Sequence, residues 1–384
     1  MAMDIRGMRV DIDGDALGIW NEIIENILAH AATTAPNIGT LVALDPDFAP
    51  VHAVKGFALH LLARPEMAGA ARDSLGTARR LARDSGARGL VEALALALDG
   101  DDLAAADRLE AMLDDRPTDA LALKLAHGLR FMAGDLPGLR AASDRFHGGF
   151  HRDHPLAGFA LGMHAFAMEE SGDIAGAERH GHAALALCPR DAWGRHAVAH
   201  AMDASGRPAE ARVWLADERA WAHTNNFGQH MFWHRALAAI DCGDLAEALE
   251  LYDTRVRDQK TDDFRDVANA TSLLARLEMD GVDVGERWGE LAAWARTRVL
   301  DGRLAFADLH GALALTAAGD DAGLDALATS LARRSIEAGA CDRRAARAGR
   351  PIALALAALR AGEADEAARL MLAAAPGLAA IGGS

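Results

Sequence analysis

The stretch HPLAGFALGMHAFAMEESGDIAGAERHGHAALALCP, His154 to Pro189, decides the fold. It reads as helix, turn, helix. Gly158, Gly162 and Ala165 are small where two helices must approach closely, Gly172 turns the chain, Ala177 packs and Pro189 stops the second helix. Such a pair cannot bury its apolar face alone, so stacked neighbours build one continuous core.

The same grammar recurs outward from this stretch. Turns stand at Gly100-Asp101, Gly134-Asp135, Gly172-Asp173, Gly206-Arg207, Gly243-Asp244, Gly319-Asp320 and Gly362-Glu363. Glycine suits the left-handed residue that closes a helix, and a following acid favours the positive end of the next one. The spacing predicts helix pairs over 192–204 with 208–221, 228–241 with 245–258, 264–279 with 284–299 and 351–361 with 364–375, and an array that starts at 15–30. The expected fold is all-α: a tetratricopeptide-like α-solenoid of about nine to ten helical hairpins, tightly curled around a central pocket. It is read as a single repeat domain over 1–384. Within it, 15–150 holds divergent repeats, 154–260 the most typical ones, and 261–384 the C-terminal repeats.

Composition agrees. Of 384 residues, 51% are hydrophobic, mostly Ala and Leu, and 5% are aromatic, a mix that favours helix over strand. The formal charge of −16 repels phosphate backbones and anionic headgroups, so neither nucleic acid nor a membrane surface is an expected partner. Cys188, Cys242 and Cys341 form neither a disulfide framework nor a Cys-x-x-Cys knuckle, and no stretch has the length of a signal or membrane-spanning segment. The expectation is a soluble, cytoplasmic protein.

Several motifs go beyond generic repeat positions: Pro117-Thr118-Asp119-Ala120-Leu121-Ala122-Leu123-Lys124 with His127, Asp191-Ala192-Trp193 with His196 and His200, His230 with Trp233-His234, and Phe306-Ala307-Asp308-Leu309-His310. With Asp45-Pro46-Asp47-Phe48 and Arg287-Trp288, they resemble the tetratricopeptide repeat protein 38 family over nearly the whole chain. The resemblance implies an α-helical repeat fold and a soluble protein; it carries no reaction mechanism across. The family continues past Gly382-Gly383-Ser384, which implies that a capping helix is missing or dispensable here.

The chemistry centres on two His-x-x-x-His pairs, His196/His200 and His230/His234. An i,i+4 pair lies on one helical face, so each helix presents two imidazoles side by side. Counted back from the turn glycines, these four, with His127 and His310, fall on one stripe, and all six imidazoles are expected to face inward. Two chemistries suit such a cluster. Mutually perturbed imidazoles serve acid/base catalysis, with His196, His200, His230, His234 and His310 as the groups and Asp308 as an orienter; Asp203, Glu169 and Glu170 are further options. Alternatively His196, His200, His230 and His234 bind a divalent metal such as zinc, although no His-Glu-x-x-His occurs. The connector from Trp221 to Phe227 is expected to fold over the groove mouth. His223, Asn225 and Asn226 would then meet a ligand alongside His127, Trp193 and Trp233.

These readings converge on an enzyme that acts on a small organic molecule by proton transfer, hydrolysis or elimination. The alternative is a scaffold that holds a peptide segment in its groove; a homodimer stays open in either case.

Overall fold

The structure of the protein, a computed structural model, describes residues 2–383. Its architecture follows from the turn glycines. All seven take a left-handed backbone, with φ from +65° at Gly134 to +85° at Gly100. At each, the N–H of the next residue bonds back to a carbonyl in the last turn of the helix, as in Asp101 to Leu96 at 3.0 Å, Arg207 to Met202 at 3.0 Å and Asp244 to Ala239 at 2.8 Å. The aspartates that follow then cap the next helix: the side chains of Asp101, Asp135, Asp173, Asp244 and Asp320 each accept a backbone N–H at 2.9–3.1 Å. One two-residue unit thus ends one helix and starts its antiparallel neighbour.

Twenty α-helices result among the described residues, with one two-stranded hairpin, Ala2–Met3 against Arg9–Val10. The first group is α1 (Gly14–Leu28), α2 (Thr34–Leu44), α3 (Ala49–His60), α4 (Ala68–Leu81), α5 (Ser85–Leu98), α6 (Asp102–Asp115), α7 (Ala120–Met132) and α8 (Leu136–Phe146). The middle holds α9 (Ala157–Glu170), α10 (Ile174–Leu187), α11 (Ala192–Ala204), α12 (Pro208–Trp214), α13 (Phe227–Asp241) and α14 (Leu245–Leu251). The last group is α15 (Phe264–Met279), α16 (Trp288–Arg298), α17 (Ala305–Ala317), α18 (Asp321–Glu337), α19 (Ala340–Arg360) and α20 (Ala364–Ala374). No described helix is long and apolar enough to cross a membrane.

Two large apolar cores form. One runs from Val10 to Ala197, the other from Trp233 to Ile381, and only small clusters lie between them. Helices α11 and α13 stand at this seam. Segments distant in sequence also meet: Arg64 pairs with Asp262 at 2.8 Å, and Arg298 with Glu66 at 3.1 Å.

Four expectations need correction. Helix α12 ends at Trp214 instead of reaching 221, because the following chain pairs with the α1–α2 turn. Thr224 bridges Ala31, the Ala32 N–H donates to the His223 carbonyl at 3.0 Å, and the Asn225 N–H donates to the His30 carbonyl at 2.7 Å. The helix placed at 245–258 stops at Leu251 and continues as a π-turn over Tyr252–Val256. Pro351 does not start a helix but lies inside α19, where burial of Ala345, Ala346, Ala348, Ala353 and Ala355 on both sides offsets the lost N–H. Helix α2 falls outside the anticipated pattern.

The N-terminal hairpin is fixed to α7 by a buried ionic network. Arg6 donates to Asp4 Oδ2 at 2.6 Å and to Asp119 Oδ1 at 2.7 Å; Trp20 Nε1 donates to Asp4 at 3.1 Å, and Asp119 also caps α7. All three charged residues are at most 5% exposed. Removing one member of a buried network leaves the others uncompensated. Arg6→Ala is therefore expected to lower unfolding free energy by about 3–5 kcal/mol in urea denaturation, and a loss under about 1 kcal/mol would contradict this picture.

Candidate metal centre

The two i,i+4 pairs meet across the seam. From α11, His196 Nε2 lies 2.9 Å from His230 Nε2 and 2.9 Å from His234 Nε2, both on α13, and 2.8 Å from His200 Nε2. His200 to His234 is 3.1 Å and His234 to His230 is 3.0 Å. In five of the six pairings, the same ring nitrogen of each imidazole faces its counterpart.

Hydrogen bonds cannot account for this. A neutral imidazole nitrogen either donates or accepts, so four such atoms satisfy at most about two N–H···N bonds, and the remaining contacts set lone pair against lone pair or proton against proton. A shared cation removes the conflict. Around a tetrahedral ion with bonds of about 2.0–2.1 Å, ligand nitrogens stand about 3.3–3.4 Å apart, so each ring need retreat by only a few tenths of an ångström.

The outer nitrogens support the same reading. His230 Nδ1 donates to Asn269 Oδ1 on α15 at 3.0 Å, and His200 Nδ1 lies 3.2 Å from Glu169 Oε2 at the end of α9. At His230 a proton held at Nδ1 leaves the Nε2 lone pair free to ligate, the usual outer-shell arrangement of a metal-bound histidine, whereas the His200 contact is close without being a hydrogen bond. His196 Nδ1 is buried without a partner. Burial, followed by the neighbouring imidazoles, holds His196 and His234 well below the ordinary histidine range, and burial lowers His230 to about 4. These rings are neutral at pH 7, the form a metal requires.

Aromatic rings wall the cluster. Phe166, fully buried, stacks on His196 with centroids 5.6 Å apart; Trp193 and Phe227 lie 5.1 and 5.3 Å from the same ring, and Trp233 stacks on His230 at 5.3 Å. Beyond this wall lies a second polar group that the sequence reading missed. His30, with φ of +55°, is sandwiched between Trp193 and Phe227, and its Nε2 lies 2.9 Å from Lys124 Nζ. Burial brings Lys124 down to about 8.

The structure brings together four of the six anticipated imidazoles. His127 is taken by Trp193, whose Nε1 donates to its Nε2 at 3.2 Å, and His310 donates from Nδ1 to the Phe306 carbonyl at 2.8 Å. Asp308 does not orient His310; it pairs with Arg334. The connector does not offer its amides to the cluster either. Asn225 is exposed and accepts the Phe227 N–H at 3.0 Å, while Asn226 donates to Asp266 at 3.0 Å. His223 Nε2 and Trp233 Nε1 are buried without partners. A cavity of about 220 Å³ opens elsewhere, lined by His60, Asp102, Arg303, Cys341 and Ile381 among others, and by none of the four imidazoles. Asn269, missed at first, had one signal: an amide in the middle of an apolar helical run, where a polar side chain needs a partner.

No known protein-family model matches the chain.

Two imidazoles outside the four, His164 and His310, are pushed down to about 4, chiefly by burial. Their folded values lie below the unfolded value of about 6.5, so the unfolded chain takes up protons first as pH falls. Stability is thus fully present above about pH 6.5 and is lost on the way down to about 4. In His310→Gln, the pH dependence of unfolding free energy between pH 7 and 5 should become shallower by up to about 1.4 kcal/mol per pH unit. Identical slopes in the two proteins would contradict burial of a neutral His310.

Proposed function

We propose that this chain is a tetratricopeptide-like α-solenoid, curled on itself, whose function is carried by one divalent transition-metal ion held by His196, His200, His230 and His234. The observation that carries the reading is the meeting of four Nε2 atoms at 2.8–3.1 Å in five of six pairings, two of them with Nδ1 facing an oxygen. Four imidazoles suit zinc, copper, nickel, cobalt or iron, whereas magnesium and calcium prefer oxygen.

Neutral ligands leave the ion its full double charge, which makes it a strong Lewis acid, and a four-coordinate ion of this class can expand to take a water or substrate oxygen. The chain's own groups would then manage protons. Glu169 and Glu170 stand beside His200 as acceptors; burial and the adjacent Glu169 raise Glu170 to about 7, near the operating range of a general base. The reaction class that fits is metal-assisted hydrolysis or proton transfer on a small organic molecule. A peptide-holding groove has less support, because the surface next to the histidines is filled by Phe166, Trp193 and Phe227 packed against the imidazoles.

The test is elemental analysis of purified chain, as isolated and after reconstitution with zinc or cobalt. Wild type should retain tightly bound metal, and His196→Asn with His234→Asn should lose it while remaining helical by circular dichroism. Wild type that retains none of the transition metals offered would sink the proposal.

A further inference from the structure

His200 faces two places at once. Its Nε2 belongs to the four-nitrogen cluster, while its Nδ1 lies 3.2 Å from Glu169 Oε2. That second contact is not a good hydrogen bond: Glu169 Oε2 is buried and no donor is aimed at it. Glu169 and Glu170 are the last two residues of α9, and one oxygen of each lies within 4.8 Å of the other and of a His200 ring nitrogen.

These carboxylates are placed against the local electrostatics. The C-terminal end of a helix carries partial negative charge and favours cations, yet α9 has no basic residue in its last turn. Among the described residues, neither glutamate forms an ion pair with Lys or Arg; Glu169 is paired only with His200. Two adjacent, largely buried acids at a negative helix end, with a bare oxygen beside a ring nitrogen, lack a positive charge.

The spacing says what kind of charge fits. A nitrogen and an oxygen bound to one tetrahedral cation at about 2.0–2.1 Å stand about 3.3–3.4 Å apart, close to the contact seen here, with the cation on the line an N–H bond would take and the oxygen off it. We propose that Glu169, Glu170 and His200 Nδ1 form a second divalent-cation position, so that His200 bridges two ions about 6 Å apart. This rests on the four-imidazole reading, since the bridge has its other end there. Binding of the second ion displaces the Nδ1 proton of His200 to solvent, leaving a bridging imidazolate, so its uptake releases a proton that the first ion's uptake does not. The centre would then pair a nitrogen-rich position with a carboxylate-rich one that retains room for water.

The experiment is titration of metal-free full-length protein with Zn²⁺, read by calorimetry and by elemental analysis after gel filtration, in wild type and in Glu169→Gln/Glu170→Gln. Gln keeps the shape of Glu, and a melting curve checks folding. The expected result is two equivalents in wild type, the second accompanied by proton release seen as a buffer-dependent heat, and one equivalent in the double variant. One equivalent in both proteins overturns the second position and leaves the four-imidazole centre standing. Two equivalents in both places the second ion elsewhere and also overturns it. Zero equivalents in wild type removes the four-imidazole centre itself.

Discussion

Everything in this molecule depends on how a helix is stopped and restarted in two residues. A left-handed glycine lets the next N–H reach back into the last turn, and that next residue, most often Asp, caps the helix that follows. Because both orphaned helix ends are satisfied within the turn, the connection is short and the helices must lie antiparallel. The unit is used at Gly206 and Gly243, immediately after α11 and α13, and so fixes the ends of the two helices that carry the imidazole pairs. The i,i+4 spacing then sets the imidazoles of each pair side by side.

Their position between two apolar cores has an energetic consequence. Elsewhere the helices bury alanine and leucine against one another, but at the seam α11 and α13 present four imidazoles whose ring nitrogens confront one another. A buried polar group without a partner costs about 1–3 kcal/mol, so the seam is a weak point in a metal-free chain and becomes a strong one once a cation accepts the lone pairs. On this account, metal binding and the joining of the two cores are one process, and the aromatic wall of Phe166, Trp193 and Trp233 supplies the low-polarity surroundings that strengthen it.

Much of this was legible in the sequence. The turn glycines and their acids mark the helix ends that adjoin them within a few residues, although α12 and α14 stop at Trp214 and Leu251, well short of the expected 221 and 258, and the spacing of the His pairs announced their meeting. Where the reading failed, other partners had intervened, most of them distant in sequence and one, the Phe306 carbonyl, on the same helix. The stripe argument placed His127 and His310 with the other four, but a stripe fixes only direction; Trp193 Nε1 and the Phe306 carbonyl captured those rings first. Asp308 was read from nearness to His310, and Arg334, on α18, claimed it. The 221–227 connector looked like a lid because its length exceeded a turn, yet its backbone is spent on the α1–α2 turn nearly two hundred residues earlier in the sequence. Asn269, His30 and Lys124 reach the site from α15, the α1–α2 turn and α7, and no local pattern joins them to it.

The central claim is that four imidazole nitrogens bind one ion, and X-ray absorption at the metal edge tests it most directly. On full-length protein loaded with one equivalent of zinc, the account predicts a first shell of about four nitrogens at about 2.0–2.1 Å with the outer-shell scattering of imidazole rings. A first shell made of oxygen or sulfur, or one without imidazole outer-shell scattering, would contradict it.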